Sequence, residues 1–90
     1  MLIQPVQPVL ITIKIDERHF GCYMIKLSEA ELEISCSAYL EKETKVLFWA
    51  KYFRGHGVIS GIKFAQGYFI YTLKIEQIQF QPGLLINTRL

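Results

Sequence analysis

The stretch Val9-Leu10-Ile11-Thr12-Ile13-Lys14-Ile15-Asp16 decides the fold class. Val9, Ile11, Ile13 and Ile15 fall on one side of a period-2 pattern, and Leu10, Thr12, Lys14 and Asp16 on the other. That alternation is the mark of a strand with one buried face. Asp16-Glu17-Arg18 reads as a polar turn. A second strand is expected from His19 to Leu27, with Tyr23, Ile25 and Leu27 on one face. Leu32, Ile34 and Cys36, alternating with Glu31, Glu33 and Ser35, make a short third strand. Leu40 is the inward anchor of the following connection, residues 37–43.

A fourth strand is expected over Thr44–Phe53. One face carries Val46, Phe48, Ala50 and Tyr52, and the other Lys45, Leu47, Trp49, Lys51 and Phe53. Both faces are largely apolar, as in a strand covered on both sides. Arg54-Gly55-His56-Gly57 reads as a glycine turn or bulge, and Val58–Ala65 as the fifth strand. Gln66-Gly67 turns the chain into a sixth run, Tyr68–Phe80, closed by Pro82-Gly83. In that run the apolar phase moves from Phe69, Tyr71, Leu73 and Ile75 to Ile78 and Phe80, which implies a bulge or a bend. Ser28-Glu29-Ala30-Glu31 has the composition of a single helical turn. The sum is an all-β domain, a small six-stranded antiparallel barrel spanning residues 1–90.

Composition bounds the function. The chain has 90 residues, of which 51% are hydrophobic, and its mean hydropathy is +0.24. One small barrel interior does not hold so many apolar side chains, so some face a partner. A net charge of +2, with arginine only at Arg18, Arg54 and Arg89, argues against a phosphate-tracking protein. No run approaches the length of a membrane helix, and Met1–Leu10 lacks a basic leader. A cytoplasmic location with reduced, buried Cys22 and Cys36 follows.

Catalytic chemistry finds no constellation. His19, Cys22, Cys36 and His56 lack the paired spacing of a zinc site. His19 and Cys22 sit at opposite parities of one strand, so they do not form a nucleophile and base pair. Glu29, Glu31 and Glu33 read as a solvated edge. Gly55, Gly57, Gly61 and Gly67 match hairpins and no phosphate-cradling motif. Trp49, Phe53 and Tyr68 offer stacking surfaces for bases, but few cations accompany them, which favours protein contact. No metal or cofactor is implied, and an enzyme is the least supported class.

Three stretches resemble the PilZ domain, a bacterial six-stranded barrel family whose typical members bind cyclic di-GMP. The run from Met24 to Ile34 is similar to the family's central motif, in which an Asp or Asn precedes a Ser and then a Gly. Leu40–Leu47 is similar to the lead into the fourth strand, and Gly55–Ile59 with Gly67–Ile75 to the closing hairpin. The resemblance covers residues 9–80 as a pattern of apolar positions and turns. Of the motif only Ser28 remains. Lys26 stands at the acidic or amide position and Glu31 at the glycine position. The family's phosphate-gripping arginine pair is replaced by Gln4-Pro5-Val6-Gln7-Pro8. The resemblance therefore implies a ligand-free member acting as a protein-interaction adaptor in pilus, motility or secretion systems. The second reading is a nucleotide- or nucleic-acid-binding barrel, including a cyclic di-GMP receptor completed by a partner chain. Leu47, Trp49 and Phe53, rimmed by Lys45 and Lys51, are the expected contact surface for another protein or a second copy.

Overall fold

A computed structural model of the chain describes residues 2–81. Seven strands follow in order: β1 (Leu2–Ile3), β2 (Leu10–Ile15), β3 (Arg18–Ser28), β4 (Glu31–Cys36), β5 (Lys45–Trp49), β6 (Phe53–Ala65) and β7 (Tyr68–Phe80). Every pairing is antiparallel. Six strands run in the order β3-β2-β5-β6-β7-β4, and the β3–β4 pairing closes them into a barrel. The expected six-stranded barrel is therefore present, with β1 as an added strand on the end of β3, Leu2 opposite Ser28 and Ile3 opposite Leu27. The Pro82-Gly83 stop lies outside the described residues.

Closure follows from the alternating pattern. β2 sends Ile11, Ile13 and Ile15 inward, β4 sends Leu32, Ile34 and Cys36, and β5 sends Val46 and Phe48. Tyr71 and Leu73 of β7 and Ile59 of β6 complete the middle of the core. Leu40 is buried as the sequence implies. Its amide donates to the Tyr71 hydroxyl at 2.6 Å, and that hydroxyl donates to the Ala38 carbonyl at 2.6 Å. The β4–β5 connection is thus tied across the barrel end by one phenol.

Three expectations need correction. In β3 the buried residues are Cys22, Met24 and Leu27, whereas Tyr23 is exposed and Ile25 only partly covered. The β3–β4 ladder skips Ile25, so a bulge reverses the inward phase partway along the strand. Ser28-Glu29-Ala30-Glu31 is a hairpin turn instead of a helical one, because Ser28 Oγ accepts from the Glu31 amide at 3.1 Å. The fourth predicted strand ends at Trp49, well short of Phe53. The chain reverses there, with the Ala50 amide donating to the Phe53 carbonyl at 2.8 Å.

Gly55 and Gly57 accordingly lie inside β6 and make no turn, while the alternative of a bulge is met by the register slip against β7 between His56 and Gly57. A Cβ on Gly55 would collide with the Gln77 carbonyl and stand 2.9 Å from Phe48 Cζ. The glycine is there to let β7 and the Phe48 ring approach the backbone. Gln66 and Gly67, by contrast, turn the β6–β7 hairpin as expected, with φ of 52° and 89°. The bulge inferred from the phase switch of the last run is also present. His56 pairs with Gln77 and Gly57 with Ile75, which leaves Glu76 as the extra residue. A second slip leaves Ser60 extra between Ile59 and Gly61.

Candidate partner-binding face

β5 alternates without interruption, so burial of Val46 and Phe48 forces Leu47 and Trp49 outward. Leu47 is 49% exposed and Trp49 38%. The barrel sets their neighbours. Lys14 of β2 and His56 of β6 flank Leu47, and Thr12 and Arg54 flank Trp49. One strand further, Gln77 lies opposite His56 and Gln79 opposite Arg54. Together with the β5–β6 turn and the end of β7, Leu47, Trp49, Arg54 and His56 line an open groove of about 830 Å³, whose lining also takes in Phe48 and Phe53.

Trp49 is held by an edge-on contact with His19, ring centroids 5.8 Å apart and planes at 83°. Lys51 places its Nζ 5.3 Å from the Tyr52 ring centroid. His56 Nδ1 lies 3.2 Å from Glu76 Oε1, and Nε2 lies 3.3 Å from Gln77 Oε1. Among the described residues lining the groove are two full cations, Lys51 and Arg54, one histidine and three glutamines, but no carboxylate. An apolar and aromatic floor with amides and cations on its walls suits a partner that brings an apolar anchor and acceptor groups.

The third residue expected on this face is elsewhere. Phe53 is the first residue of β6 and only 4% exposed. Its ring packs 6.2 Å from Phe48 and 6.0 Å from Phe80. The chain reversal at residues 50–53 breaks the alternation that had placed Phe53 beside Trp49. Lys45 and Lys51 are exposed, as a polar rim requires. The sequence reading does not single out Gln77, Gln79 and Gln81, although their period-2 recurrence along the end of β7 and one residue beyond it is visible in the sequence.

Lys26, Ser28 and Glu31 serve local structure. Lys26 Nζ is 3.8 Å from Glu33 Oε2. Ser28 closes the β3–β4 turn, and Glu31 opens β4 opposite Lys74. Cys22 and Cys36 are both buried and free. The neighbouring Cys36 and burial push the Cys22 thiol up, whereas the Cys22 thiol and the Ala38 and Ser37 amides favour ionisation at Cys36. Among the described residues no group of three or more His, Cys, Asp or Glu could hold a metal ion. Nor is any helix among them long and apolar enough to cross a membrane. No protein-family model matches this sequence, and no curated protein matches it.

Proposed function

We propose that this chain is a noncatalytic protein-interaction module, a cytoplasmic bacterial adaptor of PilZ-like type. A protein partner would occupy the Leu47–Trp49 groove. The reading rests above all on Leu47 and Trp49, two large apolar side chains facing solvent between Lys14, His56, Thr12 and Arg54. Such a surface is costly in water and useful when covered. Cyclic di-GMP is not the ligand on this reading. Ser28 is committed to its turn, Lys26 to Glu33, and Glu31 adds a negative charge where a doubly anionic dinucleotide would have to approach.

A second reading has one observation in its favour. Trp49, Tyr52, Arg54 and Lys51 together resemble a platform for a stacked base with a phosphate nearby. One set of measurements separates the two. A partner captured from a bacterial lysate and then purified should bind the wild-type chain. Trp49→Ala should keep the folded circular dichroism signal and weaken that binding by about 2 kcal/mol or more. Titration with cyclic di-GMP or short single-stranded oligonucleotides should give no heat at micromolar concentration. Affinity for a nucleotide near ~1 μM, about −8 kcal/mol, that is lost in Trp49→Ala would replace the protein partner with the second reading.

A further inference from the structure

The β6–β7 hairpin is longer than the rest of the barrel can pair. The β5–β6 ladder ends at Lys45 opposite Val58. Two last bonds follow on that side, from the Glu43 amide to the Ile59 carbonyl at 2.8 Å and from the Ile59 amide to the Thr44 carbonyl at 3.0 Å. Beyond them, among the described residues, 61–65 pair with β7 alone. Among the described residues, their second edge is a row of backbone donors and acceptors without a backbone partner. The same segment carries the most exposed phenylalanine of the described residues, Phe64, at 63%. Its ring lies 5.0 Å from Phe69, and Phe69 lies 5.6 Å from Tyr39, which is itself 62% exposed. An open strand edge and an uncovered aromatic cluster thus coincide, on a stretch of β6 beyond the part that borders the Leu47–Trp49 groove.

We propose that residues 61–65 are a strand-addition site for a second copy of this chain, paired antiparallel about a two-fold axis with Phe64 opposite Phe64. The backbone edge asks for an extended strand, and a second copy brings an edge with the same need, so one isologous contact satisfies both. Charge selects the register. Lys63 is the only charged residue in Gly61-Ile62-Lys63-Phe64-Ala65, and the run holds no proline. Centring the pair on Lys63 sets two ammonium groups opposite each other, which is unfavourable. Centring it on Ile62 places Phe64 opposite Ser60, the bulged residue, where the edge is irregular. Centring it on Phe64 makes an aromatic pair, sets Lys63 opposite Ala65, and joins the Phe64–Phe69–Tyr39 clusters of the two copies; Gln66, in the turn with φ of 52°, ends the paired stretch there. The slip at Ser60 confines the pairing to the hairpin end. The dimer leaves both Leu47–Trp49 grooves open, so the proposal does not depend on what binds there. If a partner does, it meets two sites at once.

Hydrogen exchange and sedimentation velocity on the full chain test this. Amides within residues 61–65 should gain protection between about 5 μM and about 500 μM chain, in step with a monomer–dimer transition. Phe64→Lys replaces an exposed side chain and should raise the dimer dissociation constant about tenfold or more, with an unchanged melting curve. Trp49→Ala should leave that constant unchanged. A chain that stays monomeric across the range overturns the proposal. So does a dimer insensitive to Phe64→Lys, or one dissociated by Trp49→Ala, which would put the interface on the β5 face.

Discussion

The short strands and the long strands of this barrel obey different rules. β2, β4 and β5 are five or six residues long, alternate cleanly between buried and exposed positions, and find a neighbour on both edges. β6 and β7 run thirteen residues each. They change inward phase at Ser60 and Glu76 and extend past the strands beside them. β3, with eleven residues, also slips once, at Ile25. A short strand crosses a small barrel as one segment. A long one must bend around it, and the inserted residue that permits the bend also reverses which side chains face the core.

The contrast breaks first at Phe53 and Leu47, two residues that simple alternation puts on one face. Phe53→Ala should cost roughly 3–5 kcal/mol, because its ring is packed between Phe48 and Phe80. Leu47→Ala should change stability by no more than about 0.5 kcal/mol. Chemical denaturation of the two variants reads the difference directly. Equal costs would mean that β5 continues through residue 53 and that the reversal at residues 50–53 is wrong.

The next test compares two glycines of one long strand. A Cβ at Gly55 meets the Gln77 carbonyl, Ile78 Cα and Phe48, whereas at Gly61 it meets the Thr72 side chain at ordinary contact distance, Cβ at 3.5 Å and Oγ1 at 3.6 Å. Gly55→Ala should therefore cost about 3 kcal/mol, at the upper end of overpacking because backbone must shift. Gly61→Ala should be neutral, or stabilising by about 0.5 kcal/mol through the chain entropy that glycine forfeits. Thermal melts that rank the pair the other way would place the close contact between β6 and β7 elsewhere.

The same contrast explains what the sequence could tell. Ile11, Ile13, Ile15, Leu32 and Ile34 lie on the faces that period 2 points inward and all are buried, Val9 on the same face being half-buried. In the strand of Val46 and Phe48, by contrast, both faces are apolar and period 2 alone does not choose between them. Even the Glu76 bulge was legible, since the apolar residues after Ile75 change parity at Ile78. Tyr23 and Ile25 are misplaced because Tyr23, Ile25 and Leu27 form an unbroken odd-numbered set that masks the change of parity from Phe20, Cys22 and Met24 to Leu27. The reversal before Phe53 was missed for a different reason. Lys51 and Tyr52 are unremarkable in a strand, and the glycines two and four residues later drew the turn towards themselves. Of the three residues expected on one outward face, Leu47 and Trp49 do lie there and Phe53 does not. The walls contributed by Arg54, Gln77 and Gln79 come from strands paired across the barrel, and sequence spacing does not reveal that pairing.

Tyr71 offers a smaller loss than Phe53 or Gly55 and a more specific one, because it joins the long hairpin to the connection between two short strands. Its hydroxyl takes the Leu40 amide and gives to the Ala38 carbonyl, both at 2.6 Å, while the ring is fully buried. Tyr71→Phe keeps the ring and strands both backbone groups, so it should cost about 1–3 kcal/mol at neutral pH. Burial is the largest influence on the phenol and raises its pKa above the ordinary 10.0, against the opposing hydrogen bond from Leu40. A folded-state value above the unfolded one means that the unfolded chain loses the proton first. The stability contributed by the protonated phenol is then complete below pH 10 and drains away as pH rises through the folded value. Phenylalanine has no proton to lose. The stability gap between wild type and Tyr71→Phe should hold steady from pH 7 to about pH 9 and narrow above pH 10. Urea titrations of both chains across that range measure it. A gap that stays constant or widens in alkali would mean that the hydroxyl is open to water, and that the connection through Ala38 and Leu40 is not pinned to β7.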